Sequence, residues 1–508
     1  MNRLFPIVML ALVVVIALNS WLTKSNTTVI IFPESGVAQS KPLVPGGPGV
    51  AAEANRNQLA VGKELFVREW LPGDHRSYAG DGLGPMFNAH SCAACHHLGG
   101  VGGAGPKGSN VTVVSAFLQT DSPRHLFFAG LAMPGPAPPQ PDRPQLAQIH
   151  PSLLTQNSFV LHRFGTDQEF EFENWKYGLA NGQMPHGHGQ QAPDLDELGV
   201  RLDAVKRVGP GTVHFVSSQR RAPALFGASI INQIPVQALE EVAASQALLK
   251  AVMAETPRGD LAVSGRVPRL ADGRIGRFGW KGQTATIREF TLQACGLELG
   301  LEVPGFPQST PPWNPFYKAP GLDMSEDQCN ALVSFVASLP APARQSPETE
   351  QHAADIAAGK LLFDRIGCAI CHRPKLGKVE GIYSDLLLHD MGEELSDNGM
   401  YGGSILASET AGGPIELPVM NDSNEDPQAK KRKFGASSAE WRTPPLWGLR
   451  FLTSYMHDGR VDTIGDAITC HRGEGLDSAE NFKNLSSPER QQLELFLQSL
   501  GVPSSEKD

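Results

Sequence analysis

Excess positive charge is missing from this chain. Over 508 residues the formal net charge is −10, which argues against holding nucleic acid or an anionic lipid surface by bulk charge. An even cysteine count is missing as well. The seven cysteines are Cys92, Cys95, Cys295, Cys329, Cys368, Cys371 and Cys470, and an odd number does not make a framework built of disulfides alone. A small-x-small cleavage site is missing after the N-terminal apolar run from Leu4 to Leu18, where Asn19, Ser20 and Trp21 interrupt it. No polar residues pattern one face of the run, as a core helix would need, and its length lies between a signal h-region and a full span. Residues 1–22 therefore read as a signal peptide or a membrane anchor. Either one sends the rest of the chain out of the cytoplasm, to the periplasm or otherwise exported, free or tethered. Residues 23–50 are polar and rich in Pro and Gly, and read as a linker.

Length and glycine and proline content are abundant. A chain of 508 residues exceeds one hydrophobic core, and 53 Gly with 40 Pro predict long, defined loops. Two stretches share one pattern: CAACH (Cys92–His96) and CAICH (Cys368–His372). Two C-x-x-C-H motifs in an exported chain point to covalent c-type haem, with the thiols adding to the two vinyl groups and the next histidine reaching the iron. A zinc site would bring two such knuckles close in sequence, and these lie 276 residues apart. A redox dithiol has no need of the histidine.

The surroundings repeat too. VGKELF (Val61–Phe66) precedes the first motif and AGKLLF (Ala358–Phe363) the second. RAPALFG (Arg221–Gly227) corresponds to RTPPLWG (Arg442–Gly448), and LVSFVASLP (Leu332–Pro340) to LELFLQSLGVP (Leu493–Pro503). This order predicts a mainly α protein of two cytochrome c-like domains with long loops. The expected divisions are residues 51–340 with insertions, a linker at 341–350, and residues 351–508. The excursions Met133–Pro144, Gln183–Pro193 and Asn421–Lys433 read as solvated loops.

DGLGPMFNAHSCAACHH (Asp81–His97), RRAPALFG (Arg220–Gly227), GRFGWKG (Gly276–Gly282) and WRTPPLWGLRFLTSYMHDGR (Trp441–Arg460) resemble the bacterial di-haem oxidoreductases. These are a peroxidase group, sometimes labelled thiol-oxidoreductase-like, in the superfamily of di-haem cytochrome c peroxidases and MauG. The resemblance runs from about Glu53 to Leu500, and residues 102–218 anchor to nothing in it. It implies two covalent haems, peroxide handled at one and electrons relayed by the other, with a cytochrome or small redox protein as donor. His96 and His372 match the proximal iron ligands. Trp280 matches the inter-haem tryptophan, although Lys281 stands where the family has aspartate. Glu298, in ACGLELG, matches the distal glutamate that moves a proton at the peroxide-binding haem, with Glu302 as runner-up.

The position fourteen residues after His457 of YMHDGR holds the second haem's distal ligand in the family, and here it is His471. Met456 and His457 compete with it. No histidine occurs in residues 99–114, where the peroxidases carry one that caps the first iron. His97, His125, His186, His188 and His214 remain as candidates. Arg221 and Arg442 are expected either at haem propionates or in buried salt bridges. Calcium between the haems is an option that Leu452 and Ser454, in place of threonine and proline, do not specify. Cys295 and Cys329 are expected as a disulfide, with Cys470 left over. The leading reading is a peroxidase acting on hydrogen peroxide. Its rivals are a MauG-like oxidase modifying a protein or organic substrate, a haem oxygenase of the rubber-cleaving kind, and a plain electron-transfer cytochrome.

Overall fold

The computed structural model describes residues 50–119, 125–128, 131–134, 141–166, 169–181, 203–253, 263–339, 345–397, 399, 401 and 434–501. The N-terminal segment 1–22 and most of the linker lie outside the described residues. So do His186, His188, the Gln183–Pro193 stretch and all of Asn421–Lys433. Residues 54–508 form one compact unit. Among the described residues no helix is long and apolar enough to cross a membrane.

The repeat seen in sequence is a repeat of structure. In the first half, α1 (Val50–Val67), α2 (Ile287–Glu298) and α3 (Glu326–Ser338) surround the first C-x-x-C-H motif. In the second half, α4 (Glu350–Arg365), α5 (Ile464–Thr469) and α6 (Ser487–Ser499) do the same for the second. Hydroxyl caps start these helices. Thr286 and Ser325 make reciprocal capping boxes with Glu289 and Gln328, and Ser486 does so with Glu489. Where α1 crosses α3, Gly62 lies against the backbone of Ala331 and the side chain of Phe335. Where α4 crosses α6, Gly359 lies against Gln492 and Phe496 in the same way. A side chain at either glycine would hold the helices apart, which explains the G-K-x-L-F pattern shared by the two segments.

Two cores hold these helices, and the first also takes in Leu376, Ile382, Leu386 and Leu387 from the second half. Leu65, Phe66, Leu292, Leu332 and Val336 belong to one, and Leu362, Phe363, Leu493, Phe496 and Leu497 to the other. A third core belongs to a β-rich insertion that the sequence reading did not foresee. Strands β1 (Val111–Gln119), β2 (Ser158–Leu161), β3 (Asp203–Val208) and β4 (Gly211–Arg220) form an antiparallel sheet in the order β2-β1-β4-β3. The register pairs Val111 with Arg220 and Gln119 with Thr212. Alternate residues of β4, Val213 and Phe215 among them, are buried against Leu146, Leu153 and Leu179. The stretch Met133–Pro144, expected as a solvated loop, begins within a strand, Leu131–Pro134.

Candidate functional site

Two cavities lie in the walls built by the repeated segments. The first, about 110 Å³, is lined by Cys92, Cys95, His96, Trp280, Glu298 and Tyr401 among others. The second, about 300 Å³, is lined by Cys368, Cys371, His372, His471, Arg442 and, again, Trp280. Arg221, Pro223, Leu225, Gly279 and Phe290 also face both. The tryptophan singled out in the sequence thus stands in the partition between the cavities. Its indole Nε1 donates to the Arg221 carbonyl at 2.7 Å, which fixes the ring.

The two motif histidines are held alike. His96 Nδ1 lies 3.1 Å from the Gly103 carbonyl and His372 Nδ1 3.1 Å from that of Tyr383. A ring nitrogen bonded in this way is the N–H donor, so Nε2 is left as the free ligand atom. Burial pulls both imidazoles down to about 4, which keeps them neutral, the form that binds iron. His471 repeats the arrangement. Its Nδ1 is 2.9 Å from the Ala467 carbonyl, burial lowers its pKa, and it lies close enough to His372 to depress that ring further. The four motif cysteines are unpaired. Burial pushes Cys92 and Cys368 up to about 12 and Cys95 up to about 11, so they are neutral thiols rather than exposed redox thiolates.

Glu298 is the last residue of α2 and faces the first cavity. Asn88 Nδ2 donates to its Oε2 at 2.8 Å, while Oε1 is buried without a hydrogen-bond partner. Burial raises the Glu298 pKa, with Tyr401, Asn88 and Arg163 opposing. The phenol of Tyr401 is itself pushed well above its ordinary value by burial and by Glu298. The insertion buttresses this corner. His162 Nε2 lies 2.9 Å from the Leu297 carbonyl, and the Arg163 amide donates to Asn88 Oδ1 at 3.0 Å. Glu302 faces elsewhere: its carboxylate accepts the Gln308 amide at 3.0 Å, and it does not line the first cavity.

Arg221 and Arg442 are both buried, and burial pulls each guanidinium down to about 10. Neither makes a salt bridge among the described residues, and Arg221 Nη1 has no hydrogen-bond partner. A buried guanidinium without a counter-anion is costly, so this cavity wall calls for an acidic group. The neighbouring Arg220 shows the contrast, with Asp397 bound at 2.5 and 2.7 Å.

The remaining candidates divide plainly. Met456 and His457 both line the second cavity. The His457 ring is stacked on Trp441 at 3.7 Å between centroids, with Nε2 3.6 Å from Asp397. His97 is turned to the Ala93 carbonyl. His214 lies on β4 and does not line the first cavity; His125 is in the strand His125–Phe128. Cys295 and Cys329 are buried in one core as separate thiols, a correction to the expected disulfide: each is packed among apolar side chains that keep the thiol neutral. Cys470 is a half-buried free thiol capping α5. Leu452 lines the second cavity and Ser454 is buried. Among the described residues, the one group of three clustered metal donors is Cys371, Asp385 and His389, beside the second motif rather than between the cavities' arginines.

Sequence reasoning missed Asn88, Tyr401, Asp397 and His389. Asn88 stands four residues before Cys92 and its proximity to the motif was a usable signal. His389, held between Asp385 at 3.0 Å and Glu474 at 2.7 Å, comes from the short strand Leu388–Asp390 and Tyr401 from a turn, neither with a recognisable pattern.

No curated protein matches the chain in sequence. Among solved structures, the hydrazine synthase of Kuenenia stuttgartiensis under xenon pressure is similar at 18% identity and TM-score 0.24. That likeness covers 48% of this chain and 79% of that one. A MauG-like protein associated with microbial copper homeostasis is similar at 16% identity and TM-score 0.25, over 53% of this chain and 90% of its own. Likeness at that level establishes nothing about activity. Residues 416–500 match the model of a family described as "Di-haem oxidoreductase, putative peroxidase". That segment contains Arg442, Trp447, His457 and His471. Over that segment, about the last sixth of its length, the chain is similar to the di-haem oxidoreductases.

Proposed function

We propose that the chain is an exported di-haem c-type enzyme that reduces hydrogen peroxide at its first haem. Cys92 and Cys95 would hold that haem and Cys368 and Cys371 the second, through thioether bonds, with His96 and His372 as proximal ligands. The residues present fit these groups: free thiols and a free Nε2 face each cavity, and an unpartnered guanidinium nitrogen of Arg221 suits a propionate. His471 would be the second distal ligand. Bound haem would supply a redox-active iron able to accept peroxide and pass electrons.

The observation that carries the reading is the unpartnered, buried Oε1 of Glu298 in the cavity that contains His96. Peroxide must lose a proton from one oxygen and gain one on the other before the O–O bond breaks, and one carboxyl can do both. Asn88 holds the carboxyl through Oε2, which leaves Oε1 as the atom that takes and returns the proton. Reduction to two waters consumes two electrons and two protons, the electrons coming from a donor cytochrome or small redox protein. Trp280, in the partition, would carry charge between the two sites.

The test is an electron paramagnetic resonance spectrum of the ferric protein before and after stoichiometric peroxide, with haem counted per chain. Two haems, one high-spin and lost on adding peroxide, is the expected result. Two low-spin haems indifferent to peroxide, even after one-electron reduction, would leave an electron carrier in place of the enzyme.

A further inference from the structure

The internal repeat extends to the loops that precede α2 and α5. Phe278 bridges Thr284, and Tyr455 bridges Val461. Gly279 and Met456 have φ of +81° and +72°, and Gly282 and Gly459 +61° and +69°. The Arg442 amide donates to the Trp280 carbonyl at 2.9 Å, and the Arg221 amide to the His457 carbonyl at 2.7 Å. The Arg442 Nε donates to the Gly279 carbonyl at 2.8 Å and Arg221 Nε to that of Met456 at 3.4 Å. Thr286 caps α2 through the Glu289 amide, and Thr463 caps α5 through that of Asp466. Trp280 and His457 are therefore equivalent positions in the two halves. So, fourteen residues on, are Ala294 and His471, and four further on Glu298 and Gly475.

All four of these side-chain positions face a cavity. Ala294 and Glu298 line the first, and His471 and Gly475 the second. Ala294 and Glu298, four apart on α2, share one face, whereas Arg472 is extended and the chain turns back through Gly473–Gly475 to bring Gly475 beside His471, so in each half the two positions compete for space. In the second half a Cβ on Gly475 would lie 3.0 Å from His471 Cβ and 3.2 Å from its Cδ2. Glycine there makes room for the imidazole. In the first half the large side chain is at the later position and the small one at the earlier. α5 ends at Thr469, before His471, but the His471 amide still reaches the Ile468 carbonyl at 3.2 Å, so the turn continues through the ligand position.

We propose that the pair at these equivalent positions decides which iron is open: Ala294 with Glu298 leaves the first haem a vacant face and an acid beside it, and His471 with Gly475 closes the second. This rests on the di-haem reading above and goes beyond it by assigning Ala294, a residue with no chemistry of its own, as the determinant of the asymmetry.

The experiment transplants one pair into the other half. Full-length protein carrying Ala294→His with Glu298→Gly is compared with wild type, with Glu298→Gly alone and with His471→Ala. The readouts are haem per chain by pyridine haemochromogen, ferric electron paramagnetic resonance, and cyanide titration. The double variant is expected to keep two haems and lose both the high-spin signal and cyanide binding. Glu298→Gly alone keeps the high-spin signal, and His471→Ala gains a second one. A double variant with two haems that retains the high-spin signal and still binds cyanide overturns the assignment. Should the double variant fail to fold, His471→Ala decides, and its remaining wholly low-spin at the second haem counts against the proposal. Absence of covalent haem from the wild type would instead sink the di-haem reading itself, which the haem count reveals independently of spin state.

Discussion

Replacing Glu298 by glutamine isolates the proton from the packing. Glutamine has the volume of glutamate and can keep the contact that Asn88 makes at 2.8 Å, so the cavity wall and haem binding should survive. What is lost is a group that can take a proton at one moment and return it at the next. General acid–base assistance is worth about 10²–10⁴-fold, or about 3 to 5 kcal/mol of barrier. The expected result is a fall of that size in kcat/KM for peroxide, read by stopped-flow absorbance at the first haem. Haem content and the high-spin signal should stay as in wild type. The pH profile supplies a second readout. Burial raises the Glu298 pKa, so the carboxylate needed to accept the first proton forms only above the ordinary glutamate range. The wild-type rate should climb through that raised value, and the glutamine variant should show no such climb. Stability moves the other way. A carboxyl with a raised folded pKa favours the fold in its neutral form, and that contribution is lost as pH rises through the folded value. The variant should therefore gain on wild type in denaturant midpoint as pH increases. A variant with intact haems and a peroxide rate within about threefold of wild type, far short of the loss expected for an acid–base group, would refute the role given to Glu298.

Trp280→Phe keeps an aromatic ring in the partition but removes the bond to the Arg221 carbonyl; oxidation of the second haem after peroxide should slow markedly, and rapid-mixing spectra showing it as fast as wild type would rule the relay out. Asp397→Asn leaves Arg220 buried with a neutral partner and should cost about 3–5 kcal/mol in urea unfolding. Burial pushes the Asp397 carboxyl up, but Arg220 and His457 outweigh it and hold it well below the usual range, so the pair's contribution should last until pH falls through that lowered value. Gly359→Ala would thrust a methyl at the Gln492 carbonyl and Phe496 where α4 crosses α6; about 1–3 kcal/mol of overpacking is expected, seen as a lowered thermal midpoint.

The legible parts of this molecule are those in which backbone need and chemistry coincide. C-x-x-C-H is legible because in each half its two cysteines and its histidine come to line one cavity. The G-K-x-L-F segments are legible because a close helix crossing needs glycine and then an apolar face. Trp280 was readable from its motif although its neighbour departs from the pattern. Lys281 fills the aspartate's place as a buried ammonium donating to the carbonyls of Ser437, Ser438 and Glu440. The β-rich insertion was illegible for a different reason. VTVVSAFLQ (Val111–Gln119) is a run of strand formers, yet it is the central partner of two strands, β2 and β4, whose intervening sequence is long and rich in Gly and Pro. Pairing that far apart leaves no local pattern. Tyr401 and Asp397 act across more than a hundred residues of chain, and nothing in their surroundings marks them.

The partition between the cavities shows why the two halves act together. Trp280 belongs to the first half, but its carbonyl is held by the amide of Arg442 from the second. His457 belongs to the second half, and its carbonyl is held by the amide of Arg221 from the first. The indole of Trp280 returns to the Arg221 carbonyl, so the arginine that offers a free guanidinium nitrogen to the cavities also fixes the ring between them. Each half thus fixes the backbone of a loop in the other, Trp280 in one case and His457 in the other. Charge passing through a side chain needs fixed geometry, and reciprocal backbone bonds provide it without a flexible joint. An R-x-P segment repeated in both halves is then more than a remnant of duplication. Its amide bonds to the opposite loop, its carbonyl or side chain faces the cavities, and its proline prevents the chain from turning helical between them.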